Sequence, residues 1–434
     1  MIWRIASLSI ALGLTALADD WPHFLGPKTD SHSAETGLDL DFTEEDLEPA
    51  WTYERGKGHT GPVIAGEYLV FIHQLDEKEE IVCLNPDTGE ARWKHSYATV
   101  VNQNFGIFDE PFGPPVIDPE TGTVFTHGND GDLKALKLED GEVIWEKNLD
   151  KDYGVPPTFF GRGSGPLVHG DLLIVHNGTN DACVVAFDKK TGAEKWKSPH
   201  AWNGSYASPV IGKVNGEDRI FVFAGGKTRP PHGGLLCVDP KDGKINDAYT
   251  WRTSNPTSVN AASPVPCGEN RVFISEDYGL GGVMIQYDEN FKARTAWKAG
   301  DFGCQFQTPI YHDGVIYGFG GTGGLMVAYD VTYGNLLWSE TFLRLTIQHN
   351  DRKLPVNLGR ASMIYVQDSF ICLGESGTLL RLDLSAHSRP SVLSKAQPFY
   401  APESWAPPAI ANGRLYLMQN EMGRKLICYD LRKK

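Results

Sequence analysis

The chain repeats one short motif along nearly its whole length, and this repeat restricts the folds that are open to it. In each copy an apolar segment ends at an acidic or polar turn, and most copies place a tryptophan shortly beyond that turn. The equivalent turn positions are Asn85, Lys137, Asp188, Asp239, Asp288, Asp330, Asp383 and Asp430, and the tryptophans are Trp93, Trp145, Trp196, Trp251, Trp297 and Trp338. A repeat of roughly 40 to 50 residues indicates a propeller or a solenoid.

Each copy opens with two apolar segments that are joined by a tight turn, as in residues 61–71 and 308–317. Apolar, β-branched segments on either side of Asp-Gly or Asn-Gly turns are typical of β-hairpins. Beyond the first residues of the chain, no segment keeps a helical period of apolar residues, which excludes the helical solenoids. The sequence therefore predicts an all-β chain with four short strands in each repeat.

The eight copies predict a single eight-bladed β-propeller that occupies residues 48–434, because four-stranded blades bury their faces by stacking around a closed ring. The last copy, residues 414–430, supplies too few strands for a complete blade. Residues 48–55 carry Trp51 but have no hairpin before them. We expect this segment to pair beside residues 426–430 and complete the last blade, so that no sheet edge stays open.

The first residues are typical of a secretory signal. A short cationic start ending at Arg4 precedes an apolar run, and small residues around Ala18 offer a cleavage site. We therefore predict a signal peptide at 1–18, a leader segment at 19–47, and a periplasmic or secreted location. No later segment is long and apolar enough to cross a membrane.

The net charge of −15 is spread over many turns. This distribution argues against nucleic acid and anionic lipid as partners, since both require a basic face.

The seven cysteines give no clear disulfide framework. Cys83, Cys237 and Cys428 occupy one equivalent position in separate repeats, which favours small buried residues over bridges. Cys267 and Cys304 lie near turns, so a disulfide between them is left open. No Cys-x-x-Cys is present and the histidines form no close pair in the sequence, so we predict no metal site.

The segments that end at Trp93, Trp196 and Trp338 share a turn glycine four residues before the tryptophan, as in Thr191-Gly192. They resemble the tryptophan-docking (PQQ) repeat of the quinoprotein-like propellers. That family includes the pyrroloquinoline quinone (PQQ) alcohol dehydrogenases and the non-catalytic lipoprotein of outer-membrane β-barrel assembly. The resemblance implies that each tryptophan packs onto the neighbouring blade. It is specific for the fold and says little about chemistry.

A PQQ dehydrogenase, as the resemblance implies, would need a planar quinone stacked on a tryptophan, a calcium ion held by acidic and amide side chains, and an aspartate base. The adjacent cysteine pair of the alcohol dehydrogenases is absent, and the chain is shorter than those enzymes. The chain thus resembles the non-catalytic type more closely. We expect no cofactor, with PQQ and calcium as the alternative.

A ligand site is predicted where the inner strands begin near the axis, three or four residues before each recurring proline. The residues selected there are His59, Arg162, Tyr206, Asn260, Gln305, Phe306, Arg360 and Trp405. Aromatic faces, amides and two guanidiniums suit a planar or anionic small molecule, or a peptide loop. Arg162 and Arg360 are the leading candidates. The alternative is that these groups only plug the narrow channel together with water.

The longest insertions should emerge on the same face of the propeller as these candidates, and we call it the looped face. They are residues 96–113, 150–165, 227–234 and 340–358. They contain aromatic residues that could form a partner-binding patch or simply pack beneath the loops, namely Phe105, Phe108, Phe112, Phe159 and Phe160. The sequence thus predicts an envelope propeller that binds or scaffolds a protein, a saccharide or a small ligand. The alternative is a quinoprotein dehydrogenase, or another enzyme that uses the funnel, oxidising alcohols or sugars.

Overall fold

The protein was analysed as a computed structural model. The structure describes residues 19–43, 47–99, 113–155, 160–226, 231–255, 258, 260–321, 323–342, 345–349, 351–356, 358–386 and 388–433. The predicted signal peptide at 1–18 and the side chains of Phe105, Phe108, Phe112 and Phe159 lie outside these residues. No helix in the described ranges is long and apolar enough to cross a membrane.

Eight antiparallel sheets of four strands form the blades of a propeller in the described chain, which confirms the predicted fold. The first strand is β1 (Trp51–Glu54), and blade 1 follows with β2 (Val63–Ala65), β3 (Tyr68–Leu75), β4 (Lys78–Leu84) and β5 (Ala91–Ala98). Blade 2 contains β6 (Val116–Asp118), β7 (Thr123–His127), β8 (Asp132–Lys137) and β9 (Val143–Asn148), and the short helix α1 (Leu149–Tyr153) follows it. Blade 3 contains β10 (Leu167–His169), β11 (Leu172–Thr179), β12 (Ala182–Asp188) and β13 (Glu194–Ser198), and blade 4 contains β14 (Val210–Val214), β15 (Glu217–Ala224), β16 (Gly234–Val238) and β17 (Ile245–Thr250).

Blade 5 contains β18 (Val265–Pro266), β19 (Arg271–Glu276), β20 (Gly281–Tyr287) and β21 (Ala293–Ala299), and blade 6 contains β22 (Ile310–His312), β23 (Val315–Gly320), β24 (Leu325–Asp330) and β25 (Leu336–Glu340). An inserted hairpin follows, with β26 (Thr346–His349) and β27 (Arg352–Pro355). Blade 7 contains β28 (Ser362–Val366), β29 (Ser369–Leu373), β30 (Leu379–Asp383) and β31 (Ser391–Ala396), and blade 8 contains β32 (Ala409–Ala411), β33 (Arg414–Met418) and β34 (Lys425–Asp430). The two middle strands of the blades are largely buried, because neighbouring blades cover both their faces.

Blade 8 is completed by β1, as the sequence predicts. The strand pairs antiparallel with β34, from Trp51 opposite Cys428 to Glu54 opposite Lys425. The two ends of the propeller thereby share one sheet, and neither β34 nor the ring has an open edge at this seam.

Six outer tryptophans each join their blade to the next through one hydrogen bond. The indole N–H of Trp93 donates to the carbonyl oxygen of Leu138 at 2.9 Å, and that of Trp51 donates to Pro86 at 3.0 Å. Equivalent bonds come from Trp145, Trp196, Trp297 and Trp338. The turn glycine of the next blade lies against the ring: a Cβ on Gly141, whose φ is +76°, would lie 2.5 Å from Trp93.

Substituting Gly141 by alanine should therefore destabilise the protein more than the same change at Gly122. Both glycines have positive φ, but a Cβ at Gly122 meets nothing within 4 Å. We expect a loss of about 2 to 3 kcal/mol in the free energy of unfolding for Gly141→Ala, and about 1 kcal/mol for Gly122→Ala. Urea unfolding followed by circular dichroism measures both, and equal losses would contradict the docking role of the glycine.

Two blades depart from this tryptophan pattern. The indole nitrogen of Trp251 has no hydrogen-bond partner among the described residues, and the turn of the following blade carries Phe291 at φ 60° where blades 1 to 4 and 6 have glycine. The outer strand of blade 7, β31, has no tryptophan.

The leader segment crosses the end of the channel that is opposite the looped face. The backbone of Trp21 exchanges two hydrogen bonds with Ile64 in blade 1, at 2.9 and 2.8 Å. Further along, the carbonyl oxygen of Ser31 accepts from Tyr365 N–H in blade 7 at 2.9 Å, and Asp39 N–H donates to Leu431 beyond blade 8. These bonds tie the leader to three consecutive blades, 7, 8 and 1, around the seam of the ring.

All seven cysteines are free and buried, so the disulfide that the sequence left open is not formed. The Sγ atoms of Cys267 and Cys304 lie instead 3.3 Å from the Val265 carbonyl oxygen and 3.2 Å from the Phe319 carbonyl oxygen. Burial raises the pKa of the Cys304 thiol to about 12, which makes it a poor nucleophile.

Candidate functional site

A cavity of about 300 Å³ lies on the propeller axis. Its walls come from the residues at which the inner strands begin, and its floor comes from the leader. Six of the eight predicted site residues line it, namely His59, Tyr206, Gln305, Phe306, Arg360 and Trp405. The repeat period brings them together, because equivalent positions in successive blades face one axis.

One side of the cavity is a group of aromatic rings around Trp405. The imidazole of His59 stacks on Trp405, with ring centres 4.9 Å apart and planes inclined by 26°. Phe306 meets the same indole at 5.0 Å. Tyr206 lies elsewhere on the wall, and its hydroxyl accepts a hydrogen bond from Phe160 N–H at 3.1 Å. Phe160 thus packs on a cavity residue, and this part of the looped face is continuous with the cavity wall.

A polar network fixes the guanidinium of Arg360 beside these rings. Its Nη1 lies 2.9 Å from Oε2 of Glu375, and its Nε donates to Oε1 of Gln305 at 2.6 Å. The indole N–H of Trp405 donates to the same Glu375 oxygen at 3.2 Å. Gln305 in turn donates to the hydroxyl of Tyr278 at 2.9 Å. The guanidinium of Arg360 therefore has its charge balanced by a carboxylate.

Hydroxyl side chains from neighbouring blades form an arc deeper in the cavity. The Oγ of Ser208 accepts from Gly165 N–H at 2.9 Å, that of Ser263 accepts from Ser208 N–H at 3.2 Å, and Oγ1 of Thr308 accepts from Ser263 N–H at 3.2 Å. A hydroxyl can accept and donate at the same time, and none of these three donates to another described residue, so their hydrogens can point to a ligand. All three residues line the cavity.

The floor of the cavity consists of Phe24, Leu25 and Ser31. Sequence reasoning did not select these residues, because the leader lies outside the repeat and has no register with the blades. The signal that the sequence offered was the apolar content of the leader, which includes Trp21 and Leu25. In the structure these two side chains are 1% and 4% exposed. A segment with so much buried apolar surface must pack on the propeller.

Arg162 and Asn260 are placed differently from the expectation, since neither lines the cavity. Arg162 is 7% exposed and points to Asp150 in α1, with Nη2 and Oδ1 2.5 Å apart. Asn260 is fully buried and donates from Nδ2 to the carbonyl oxygen of Ala224 at 2.8 Å. Both side chains are thus engaged by partners within the protein.

Asn260 belongs to a buried ionic network next to the cavity. Arg252 donates from Nη1 to Oε1 of Glu276 at 2.7 Å and to Oδ1 of Asn260 at 2.8 Å, while Ser258 also donates to Glu276. The side chains of Arg252 and Glu276 are 2% and 0% exposed. Burial raises the pKa of the Glu276 carboxyl, and the Arg252 charge partly offsets that rise.

The cavity residues do not fit a quinone with a calcium ion. Among the described residues no three His, Cys, Asp or Glu side chains lie close enough together to hold a metal ion. Calcium prefers six or more oxygen ligands, whereas the carboxylate of Glu375, behind the wall, is already engaged by Arg360 and Trp405. The indole of Trp405 could support a planar ring, but the donor set for the accompanying cation is missing there.

Comparison with solved structures supports the fold. The crystal structure of BamB from Moraxella catarrhalis shares 14% identity, with a TM-score of 0.58 over 88% of this chain and 97% of that one. A europium-containing methanol dehydrogenase shares 12% identity, with a TM-score of 0.65 over 95% of this chain and 98% of that one. At such low identity the likeness concerns the architecture alone.

Comparison with characterised sequences gives partial matches and one family. A quinoprotein ethanol dehydrogenase from Pseudomonas aeruginosa is 24% identical over 194 residues, and one from Pseudomonas putida is 25% identical over 195. The match covers 40% of this chain and only 27% of the length of these relatives. The family model of the outer membrane protein assembly factor BamB matches residues 32–131 and 77–340. Since the matched residues make up more than half of the chain, the protein belongs to this BamB family.

Proposed function

We propose that this protein is a non-catalytic binding module of the cell envelope, which holds a ligand or part of a partner in its axial cavity. The observation that carries the proposal is the state of the cavity's polar groups. Arg360, Glu375, Gln305 and the Trp405 indole N–H hold one another by hydrogen bonds. Such a fixed, charge-balanced wall suits recognition, whereas proton transfer requires an acid or base that is free to exchange with a substrate.

An envelope location is part of the proposal. It is supported by the predicted signal peptide and by the family, which is named for an outer membrane protein assembly factor. The family name also supports a protein partner. We place such a partner at the looped face, because residues that precede the inner strands, such as His59, Tyr206 and Arg360, line the cavity.

The second candidate is a quinoprotein dehydrogenase. It is supported by the partial match to the two ethanol dehydrogenases and by the position of the Trp405 indole on the cavity wall. The missing calcium donor set counts against it. We therefore expect that purified protein supplied with PQQ and calcium does not reduce an electron-acceptor dye when alcohols or sugars are added as substrates. Turnover under these conditions would overturn the proposed function.

Cross-linking from the cavity wall tests the binding role directly. A photoreactive amino acid in place of Tyr206 is expected to form adducts with a ligand or partner in producing cells, because this side chain lines the cavity. The matched control carries the same group in place of Tyr333, which is 76% exposed on a turn of blade 6. Mass spectrometry identifies the adducts. Equal labelling at both positions, or none at Tyr206, would contradict a binding role for the cavity.

A further inference from the structure

We infer that the group held in the axial cavity is a neutral sugar ring. This inference rests on the proposed binding function and specifies the chemistry of its ligand. Three features of the wall bear on that chemistry: its charge balance, its aromatic faces and its arc of hydroxyls.

The charge balance disfavours an anion. Three guanidiniums at or next to the cavity have a carboxylate partner: Arg360 has Glu375, Arg162 has Asp150, and Arg252 has Glu276. An anionic ligand would have to displace Glu375 from Arg360 or lie close to it, and would lose its hydration without gaining an unbalanced positive charge. A neutral ligand meets no such cost. The anionic ligand considered from the sequence therefore becomes the weaker choice.

The aromatic faces and the polar groups select a molecule with two kinds of surface. Trp405, Phe306 and Tyr206 line the cavity and give its wall an apolar part that suits the C–H side of a sugar. The hydroxyl hydrogens of Ser208 and Ser263, with that of Thr308, are available as donors to its ring substituents. A flat heteroaromatic molecule would use the rings but would leave the deeper donors, which come from three successive blades, without partners.

The size of the site agrees with a ligand of one or two rings. The cavity of about 300 Å³ lies at the lower limit of the volumes that hold small molecules, roughly 300 to 1,000 Å³. The leader residues Phe24 and Leu25 close its floor. A longer glycan could enter only with its end, while the rest would extend toward the looped face.

The test is calorimetric titration of the full mature chain with glucose and N-acetylglucosamine, and with glucuronate as the charged comparison. We expect at least one neutral sugar to bind at roughly 1 mM or tighter, and more tightly than glucuronate. Trp405→Ala should weaken that binding at least tenfold, whereas Tyr333→Ala should leave it unchanged. Thermal unfolding of each variant verifies that it is folded.

A charge variant keeps the test sharp even if Trp405→Ala fails to fold. Glu375→Gln leaves Arg360 without its carboxylate. The ratio of the affinity for glucuronate to the affinity for glucose should therefore rise at least tenfold relative to the wild type. Wild-type preference for glucuronate, or no binding of either neutral sugar, would overturn the inference. If the cross-linking experiment then finds a peptide in the cavity, the proposed binding function stands and the sugar inference fails. If it finds no adduct, both fail.

Discussion

Replacing Arg252 by methionine should lower the free energy of unfolding by about 3 to 5 kcal/mol, because it leaves the Glu276 carboxylate buried without its cation. Glu276 has no exposed side-chain surface, and Arg252 is the cation that balances it. Arg252 also donates to the carbonyl oxygens of Gly226 and Ser258, so the change removes bonds to the loops on both sides. Chemical unfolding at neutral pH, followed by circular dichroism, measures the loss.

Two further variants separate the ionic effect from a general effect of removing arginine. Arg389 is 85% exposed and lies 3.9 Å from Glu340, so Arg389→Met should change the stability by less than about 1 kcal/mol. The double variant Arg252→Met with Glu276→Met should recover part of the loss, since apolar side chains can replace a buried ion pair. A loss below about 1 kcal/mol for Arg252→Met alone would show that the pair is not needed.

Introducing proline at Tyr53 should open the seam at which β1 closes the ring. The N–H of Arg55 donates to the carbonyl oxygen of Arg424 at 2.9 Å. Alternate residues of an antiparallel strand point their N–H groups to the same side, so that of Tyr53 faces β34 and that of Thr52 faces solvent. Tyr53→Pro removes a ladder bond within the closing strand. We expect a loss on the order of 3 kcal/mol or more, with increased susceptibility to proteolysis in blade 8.

Thr52→Pro is the matched control for this experiment. Its N–H lies on the outer edge of the sheet, where proline is tolerated, so the loss should stay within about 1 kcal/mol. Tyr53→Ala reports separately on the loss of the Tyr53 aromatic ring, whose centre lies 5.8 Å from that of the Phe71 ring. Similar stability of Tyr53→Pro and Thr52→Pro would mean that pairing of β1 does not hold the ring closed.

The residues of the cavity wall show how far the repeat alone can predict a site. Residues equivalent in the repeat occupy equivalent places around the axis, and six side chains selected by counting back from the prolines do border one cavity. Their role in binding stays a prediction. The same counting could not tell Arg360, which faces the cavity, from Arg162, which turns to Asp150. That difference depends on α1, a helix too short to leave a periodic signal.

By itself, the sequence determined the all-β class, the number of blades and the closure of the last blade by β1. These features follow from a period and from turn residues, which act locally and recur in every repeat. Only the tertiary structure decided the charge of the cavity and the identity of its floor. The balance of Arg360 by Glu375 and the seating of Phe24 and Leu25 depend on which groups meet in space. Such meetings join a repeat to a segment outside it, or one loop to another, and no period records them.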